Sequence, residues 1–208
     1  MTINKIKPNH KLELRSLILS NHDIDTLDYS HIKDFAFLFE GCSIVPCLKK
    51  LDTSNVSNMR FMFRNCHGFN QNINHFNMSN VTDIGGMFYH CSSFNQPLDN
   101  WDISNVIDMA HLFSKCRVFN QDISMWNTSP KLNLSTSFKD TENLLFKNMK
   151  GVFSKLIKKP KLDISYLSGT NQELIDILAV YEDIDLFKLE TLKEQDYYYL
   201  ISKLERYI

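Results

Sequence analysis

The chain has 208 residues, 43% hydrophobic and 23% charged, with a formal net charge of -1. Those proportions belong to a folded, water-soluble chain and exclude a disordered one. With no excess of Lys and Arg to neutralise phosphates, there is no reason to expect a nucleic-acid partner.

The first residues, MTINKIKPNHKLEL, contain no apolar run long enough for a secretory signal, and no later stretch approaches the length of a membrane span. The expectation is a cytoplasmic protein that does not insert into a membrane. Within residues 1–26, Leu12, Leu14, Leu17, Ile18 and Leu19 crowd one side of a short helix, with Pro8 before it and Asn9 placed to cap it. Asn21-His22-Asp23 ends the helix. In front of a repeat array such a helix serves as an N-terminal cap over the first apolar layer.

Residues 27–141 form the array. Between Leu51 and Trp126 the chain repeats itself three times, with Phe69, Phe94 and Phe119, Cys66, Cys91 and Cys116, and Asn70, Asn95 and Asn120 each spaced by 25. A period of that length marks stacked repeats and outranks local helix or strand signals. An earlier copy runs from Leu27 to Cys42 at an offset of 24, and a decayed one follows Trp126, with Pro130 and Thr141 replacing the Asn and the Cys. About five turns result, irregular at both ends.

Within a turn, Met59, Met62, Phe63 and Cys66 fall at i, i+3, i+4 and i+7, the stripe of one helical face. Ser57 or Thr82 stands where it would cap that helix. Ile73, Phe76 and Met78 partly alternate, as a short strand does. The expectation is an α/β repeat: a short leucine-rich-repeat-like solenoid of about five 25-residue strand–helix turns, with parallel strands side by side. The Phe and Met columns would stack as apolar ladders. Asn70/95/120 and Asn55/80/105 would bond backbone groups of their own or the next turn, with the Ser54/79/104 hydroxyls serving the same corner.

Residues 142–208 leave the repeat. Leu145, Met149, Val152 and Leu156 suggest one helix ending at Lys159-Pro160, and further helices are expected from about 171 to 180 and from about 188 to 207. This all-helical C-terminal region is read as a cap on the stack or a subdomain against it. Lys155, Lys158, Lys159 and Lys161 fit a solvated helix end.

Five cysteines are an odd number; Cys42, Cys66, Cys91 and Cys116 share one column, Cys47 does not, and no C-x-x-C spacing occurs. Reduced thiols buried as small apolar residues are expected. A metal centre would have to draw on Cys66 with His67, His90 with Cys91, and His111 with Cys116. Those histidines fall at different repeat positions and do not converge on one point, so no metal or other cofactor is expected.

Asp102-Ile103-Ser104-Asn105-Val106-Ile107-Asp108-Met109, then Leu112-Phe113, Cys116, Phe119-Asn120-Gln121 and Ile123, resembles the 25-residue repeat of the BspA-type leucine-rich-repeat surface protein family. The resemblance covers about 115 residues. It implies a binding scaffold, often bacterial and surface-exposed, with no catalytic residues to carry over. The chain departs from surface members in showing no secretion signal or anchor, so "surface" is taken as a name for the repeat.

Serine-hydrolase, phosphate-loop, zinc-protease and dinucleotide motifs are absent, and no enzymatic activity is expected. The function expected is protein–protein interaction through the variable columns of the array. The residues singled out are Arg60, Phe61, Arg64, Tyr89 and His111 on the expected helical side, and His75, Asp99 and Met125 on the expected strand side. Gly85, Gly86, Ala110, Ser114, Asn74, Asn100 and Ser124 share those columns. One variant makes the chain a cytoplasmic immunity protein that binds a toxin. The alternatives are an exported adhesin or antigen of the BspA type, or a self-assembling structural array.

Overall fold

The structure is a computed structural model that describes residues 5–128, 132–134, 136–141, 144, 148 and 152. The chain starts with α1, Lys11–Leu19, which buries Leu14 and Ile18. Its cap is His10 rather than Asn9. The His10 Nδ1 accepts the Glu13 amide at 3.3 Å, while the Glu13 carboxylate turns back to accept the Asn9 backbone and side-chain N–H groups. That reciprocal arrangement satisfies exposed first-turn amides as a capping box does. A 3-10 turn at Ile24–Thr26 follows, and Ile6 pairs in parallel with Leu27.

From residue 27 to residue 128 no residue lies in a helix or a strand, which overturns the expected strand–helix turns. Parallel pairing is confined to isolated single-residue bridges, running from Asp34 through Asn58, Asp83 and Asp108 to Asn133. The i, i+3, i+4, i+7 stripe is produced by consecutive tight turns. Met62 donates to Met59 O, Arg64 to Phe61 O and Cys66 to Phe63 O, each three residues back. The intervening amides face the next repeat: Met59 donates to Asp83 O, Phe61 to Gly85 O, Phe63 to Met87 O and Asn65 to Tyr89 O. The same alternation recurs one repeat on, where Ile84, Gly86, Phe88 and His90 donate to Asp108, Ala110, Leu112 and Ser114. Half the amides thus close turns and half tie the stack, and none in the run needs water.

Closing turns in this way requires left-handed backbone at two positions per repeat. Phe37, Phe61, Gly86, His111 and Thr136 occupy one, and Gly41, Asn65, His90, Lys115 and Asp140 the other, with φ between 54° and 69°. Entry to the turns is fixed by a carboxylate or amide: Asp34, Asn58, Asp83 and Asp108 each accept the amide two residues on, at 2.8–2.9 Å. Ser57 and Thr82, expected as caps, instead reach carbonyls of the preceding repeat.

Inside, the columns stack. Phe39, Phe63, Phe88, Phe113 and Phe138 lie nearly parallel with ring centroids 5.5–6.0 Å apart, and Phe69, Phe94 and Phe119 form a second file. Trp101 stacks on Trp126, and their indole N–H groups donate to Ile73 O and Leu98 O one repeat earlier. The Asn corners behave as ladders. Asn70 Oδ1 accepts the Asn95 amide, Asn95 Oδ1 the Asn120 amide, and Asn80 and Asn105 Nδ2 donate to Ser54 O and Ser79 O. At those serine corners the backbone amide is held by Asp52, Asn77 or Asp102, in place of the hydroxyl role expected of Ser54, Ser79 and Ser104; in the first copy the Ser30 hydroxyl donates to the Asp28 carboxylate.

Neighbouring segments contact the stack at each end. The Arg15 guanidinium of α1 donates to Phe37 O and Glu40 O, occupying carbonyls at the edge of the first turn. An exposed edge of unpaired backbone groups is a template for unwanted association, and this contact blunts it. At the other end Asn148 Nδ2 donates to Asn120, Ile123 donates to Asn148 O, and Val152 is fully buried. The helices expected over 171–180 and 188–207, and most of the first C-terminal helix, lie outside the described residues.

Candidate functional site

The left-handed column turns its side chains onto one edge of the stack, and there five of the expected site residues meet. The Phe61 ring lies 5.3 Å from that of Phe37, which is 40% exposed. The guanidinium groups of Arg60 and Arg64 sit over Phe61 at 4.8 and 5.2 Å. Arg64 also lies over Tyr89 at 5.8 Å, Lys115 approaches the same ring at 5.5 Å, and His111 meets Tyr89 edge-on at 6.3 Å. The result is a half-exposed ridge of aromatic rings interleaved with cations, crossing four repeats. Cation–π contacts of this kind hold rings in place without covering them.

Two glycines make the ridge possible. A Cβ at Gly86 would fall 2.0 Å from Phe61 Cε1, and one at Gly85 would fall 2.6 Å from an Arg60 guanidinium nitrogen. The repeat with Gly85-Gly86 therefore receives the Arg60-Phe61 pair of its neighbour. Arg60 then reaches two carboxylates, Asp83 at 3.5 Å and Asp108 at 3.1 Å. Burial pushes the Asp83 carboxyl above its usual range and the nearby Asp108 adds to this, while the Gly85 amide and Arg60 oppose it. Arg64 pairs with Glu40 at 3.2 Å.

His75, Asp99 and Met125 lie away from these contacts. The His75 ring meets Leu48 O at 3.1 Å and abuts Phe76, and Asp99 accepts from Asn74 Nδ2 at 2.8 Å. Met125 is 85% exposed. No aromatic or ionic cluster joins the three. Sequence reasoning missed Phe37 and Lys115 on the ridge, although Phe37 shares the column of Phe61 and His111, and Lys115 stands in the column next to that of Arg64 and Ser114.

Cys66, Cys91 and Cys116 are fully buried, and each thiol donates to a phenylalanine carbonyl one repeat earlier at 2.8–3.0 Å. Burial pushes Cys66 up to about 11 and Cys116 to about 12, and raises Cys91 well above the usual thiol range. Thiols in that state are poor nucleophiles and poor metal ligands. Among the described residues no three His, Cys, Asp or Glu side chains gather where they could hold a metal, and no helix is long and apolar enough to cross a membrane. A cavity of about 190 Å³ between the N-terminal segment and the first two turns is lined in part by Lys5, Asp25, Asp28, Tyr29, Lys50 and Asp52. It contains none of the expected site residues, and Lys50 and Asp25 already form an ion pair there.

Successive 24- or 25-residue segments hold one another in register through backbone hydrogen bonds and leave one edge lined with rings and cations. Comparison of families places the chain further: the model described as "Mycoplasma protein of unknown function, DUF285" matches residues 33–151. That is more than half of the chain, and the chain belongs to the DUF285 family. No curated protein and no solved structure matches it.

Proposed function

We propose that this DUF285 member is a non-enzymatic protein-binding module and that the ridge from Phe37 to His111 is its docking face. The observation that carries the reading is the Phe61–Arg64–Tyr89 sandwich, in which half-exposed rings are pre-positioned by cations. Tyr and Arg anchors held in place before contact lose little entropy on binding, which is the character of an interface hot spot. The likeness of the repeat to BspA-type proteins, with which the family is associated, supports a scaffold role.

The setting we propose is cytoplasmic, and the partner we favour is a toxin, the chain acting as its immunity protein. Co-expression with the product of an adjacent gene tests this: protection of the cells supports it, and killing despite stable co-expression removes it. The BspA likeness also favours a second reading, an exported adhesin. Protease treatment of intact cells separates the two, since an adhesin is cleaved and a cytoplasmic protein survives. For the module itself, affinity capture with the native chain and with Tyr89→Ser is the test. A partner retained equally by both removes the ridge from the interface.

A further inference from the structure

The chemistry around Tyr89 is one-sided. Arg64 and Lys115 flank its ring from two different repeats, and His111 and His90 stand edge-on to it at 6.3 Å each. His67 joins from the preceding repeat: its Nδ1 meets His90 O at 3.0 Å and the two imidazoles lie edge-to-face at 4.4 Å. The carboxylate of Glu40 pairs with this group and is held by Arg64. Lys115 makes no ion pair with any carboxylate of the described residues. The carboxylates Asp83 and Asp108 sit further along the ridge and are bridged by Arg60.

Resting on the docking face proposed above, we infer that its Tyr89 end takes a short acidic segment of a partner protein. Carboxylates would meet Lys115 and the imidazoles, and an adjacent apolar side chain would lie along Phe61 and Phe37. Complementary charge steers such encounters and sets register more than it adds raw affinity. A nucleic-acid backbone fits less well. It needs a long track of available cations, whereas Arg60 and Arg64 are neutralised by Asp83, Asp108 and Glu40, and the cationic group spans only three repeats. His90 adds a pH response: burial, then His67, Lys115 and Arg117, hold its pKa below the usual value, and protonation would add positive charge where the acidic segment lies.

The test uses the full chain and a short fluorescein-labelled peptide of glutamates around a Leu-Phe pair. Its glutamine counterpart and a single-stranded oligonucleotide of matching charge complete the set. The glutamate peptide is expected to bind, the glutamine peptide about tenfold more weakly, and Lys115→Gln and Tyr89→Leu each to lose about tenfold. Binding is expected to tighten as the pH is lowered below about 6.5, where His90 takes up its proton. Two variants at different positions guard against one that merely misfolds, and the cooperative unfolding transition of each is measured alongside. Equal binding of both peptides, no peptide binding, or tighter binding of the oligonucleotide overturns the inference. If the peptides fail while a partner is still lost with Tyr89→Ser, the docking face stands and only its acidic specificity falls.

Discussion

The Phe61 ring rests on the α-carbon of Gly86, one repeat away, so closely that a methyl group there would sit 2.0 Å from Cε1. Gly86 also has φ +59°. Gly86→Ala is expected to destabilise the protein by about 2–4 kcal/mol, combining a left-handed alanine with displacement of the ring. In Gly86→Ala with Phe61→Ala the clash is gone, so the glycine substitution should then cost only about 1–2 kcal/mol. Urea unfolding of the four proteins in the cycle measures the coupling.

Asn95 links two repeats through one oxygen, which accepts the Asn120 amide at 2.9 Å and the Gln121 side chain at 2.8 Å. Asn95→Ala, which removes the acceptor of the Asn120 amide while the Gln121 side chain keeps the Asn95 backbone carbonyl at 3.1 Å, is expected to cost about 1–3 kcal/mol. Asn95→Asp keeps the acceptor and should lose much less. A shift in urea midpoint read for both variants separates loss of the acceptor from mere loss of the side chain.

The thiols should divide sharply. Cys47 is exposed and should react with an aromatic disulfide reagent within the dead time of mixing, while Cys66, Cys91 and Cys116 should react only as fast as the protein opens. Because the fold raises these pKa values above the ordinary 9.0, the folded state holds its thiol protons where the unfolded chain releases them. Stability should therefore fall as pH rises through about 9. Replacing Cys91 by Ala should flatten that alkaline slope even though it lowers stability at neutral pH.

His90 has the opposite acid-side signature. Burial, then the neighbouring His67, Lys115 and Arg117, hold its pKa below 6.5. The unfolded chain takes up the proton more readily, so this residue's contribution is present above pH 6.5 and is lost as the pH falls below 6.5 through the lower folded value. His90→Asn keeps a residue tolerant of the left-handed backbone and should remove that part of the acid dependence. Titration of the imidazole resonances by NMR gives the pKa directly.

How far this architecture was legible in the sequence follows from which forces leave a periodic trace. Side chains facing the core recur every 24 or 25 residues, so Phe63, Phe69, Met59 and Cys66 could be placed inside from spacing alone. The Asn corners could be read because Asn70, Asn95 and Asn120 recur where an amide must serve two backbones. Local conformation left an ambiguous trace. A run of tight turns with a left-handed residue every fourth position exposes the same apolar spacing as one helical face, and Met59, Met62, Phe63 and Cys66 satisfy both. The deciding signal was the composition of the left-handed columns: Gly41, Asn65 and Asp140 in one and Gly86 in the other favour φ above zero and disfavour a helix interior. The ridge depended on that geometry. Arg60 and Phe61 could be named as variable, but that they fold onto Gly85 and Gly86 follows only from turns stacked in register.

The proposed docking face puts partner contact on the Phe61–Tyr89 edge and not on the surface carrying His75, Asp99 and Met125. Site-specific photo-crosslinking in living cells tests it most directly, with a benzophenone amino acid placed at Tyr89 in one chain and at Met125 in another. Met125 is 85% exposed, so a probe there meets solvent unless a partner covers it. A discrete crosslinked product is expected from position 89 and none from position 125. A product from position 125 alone would contradict it.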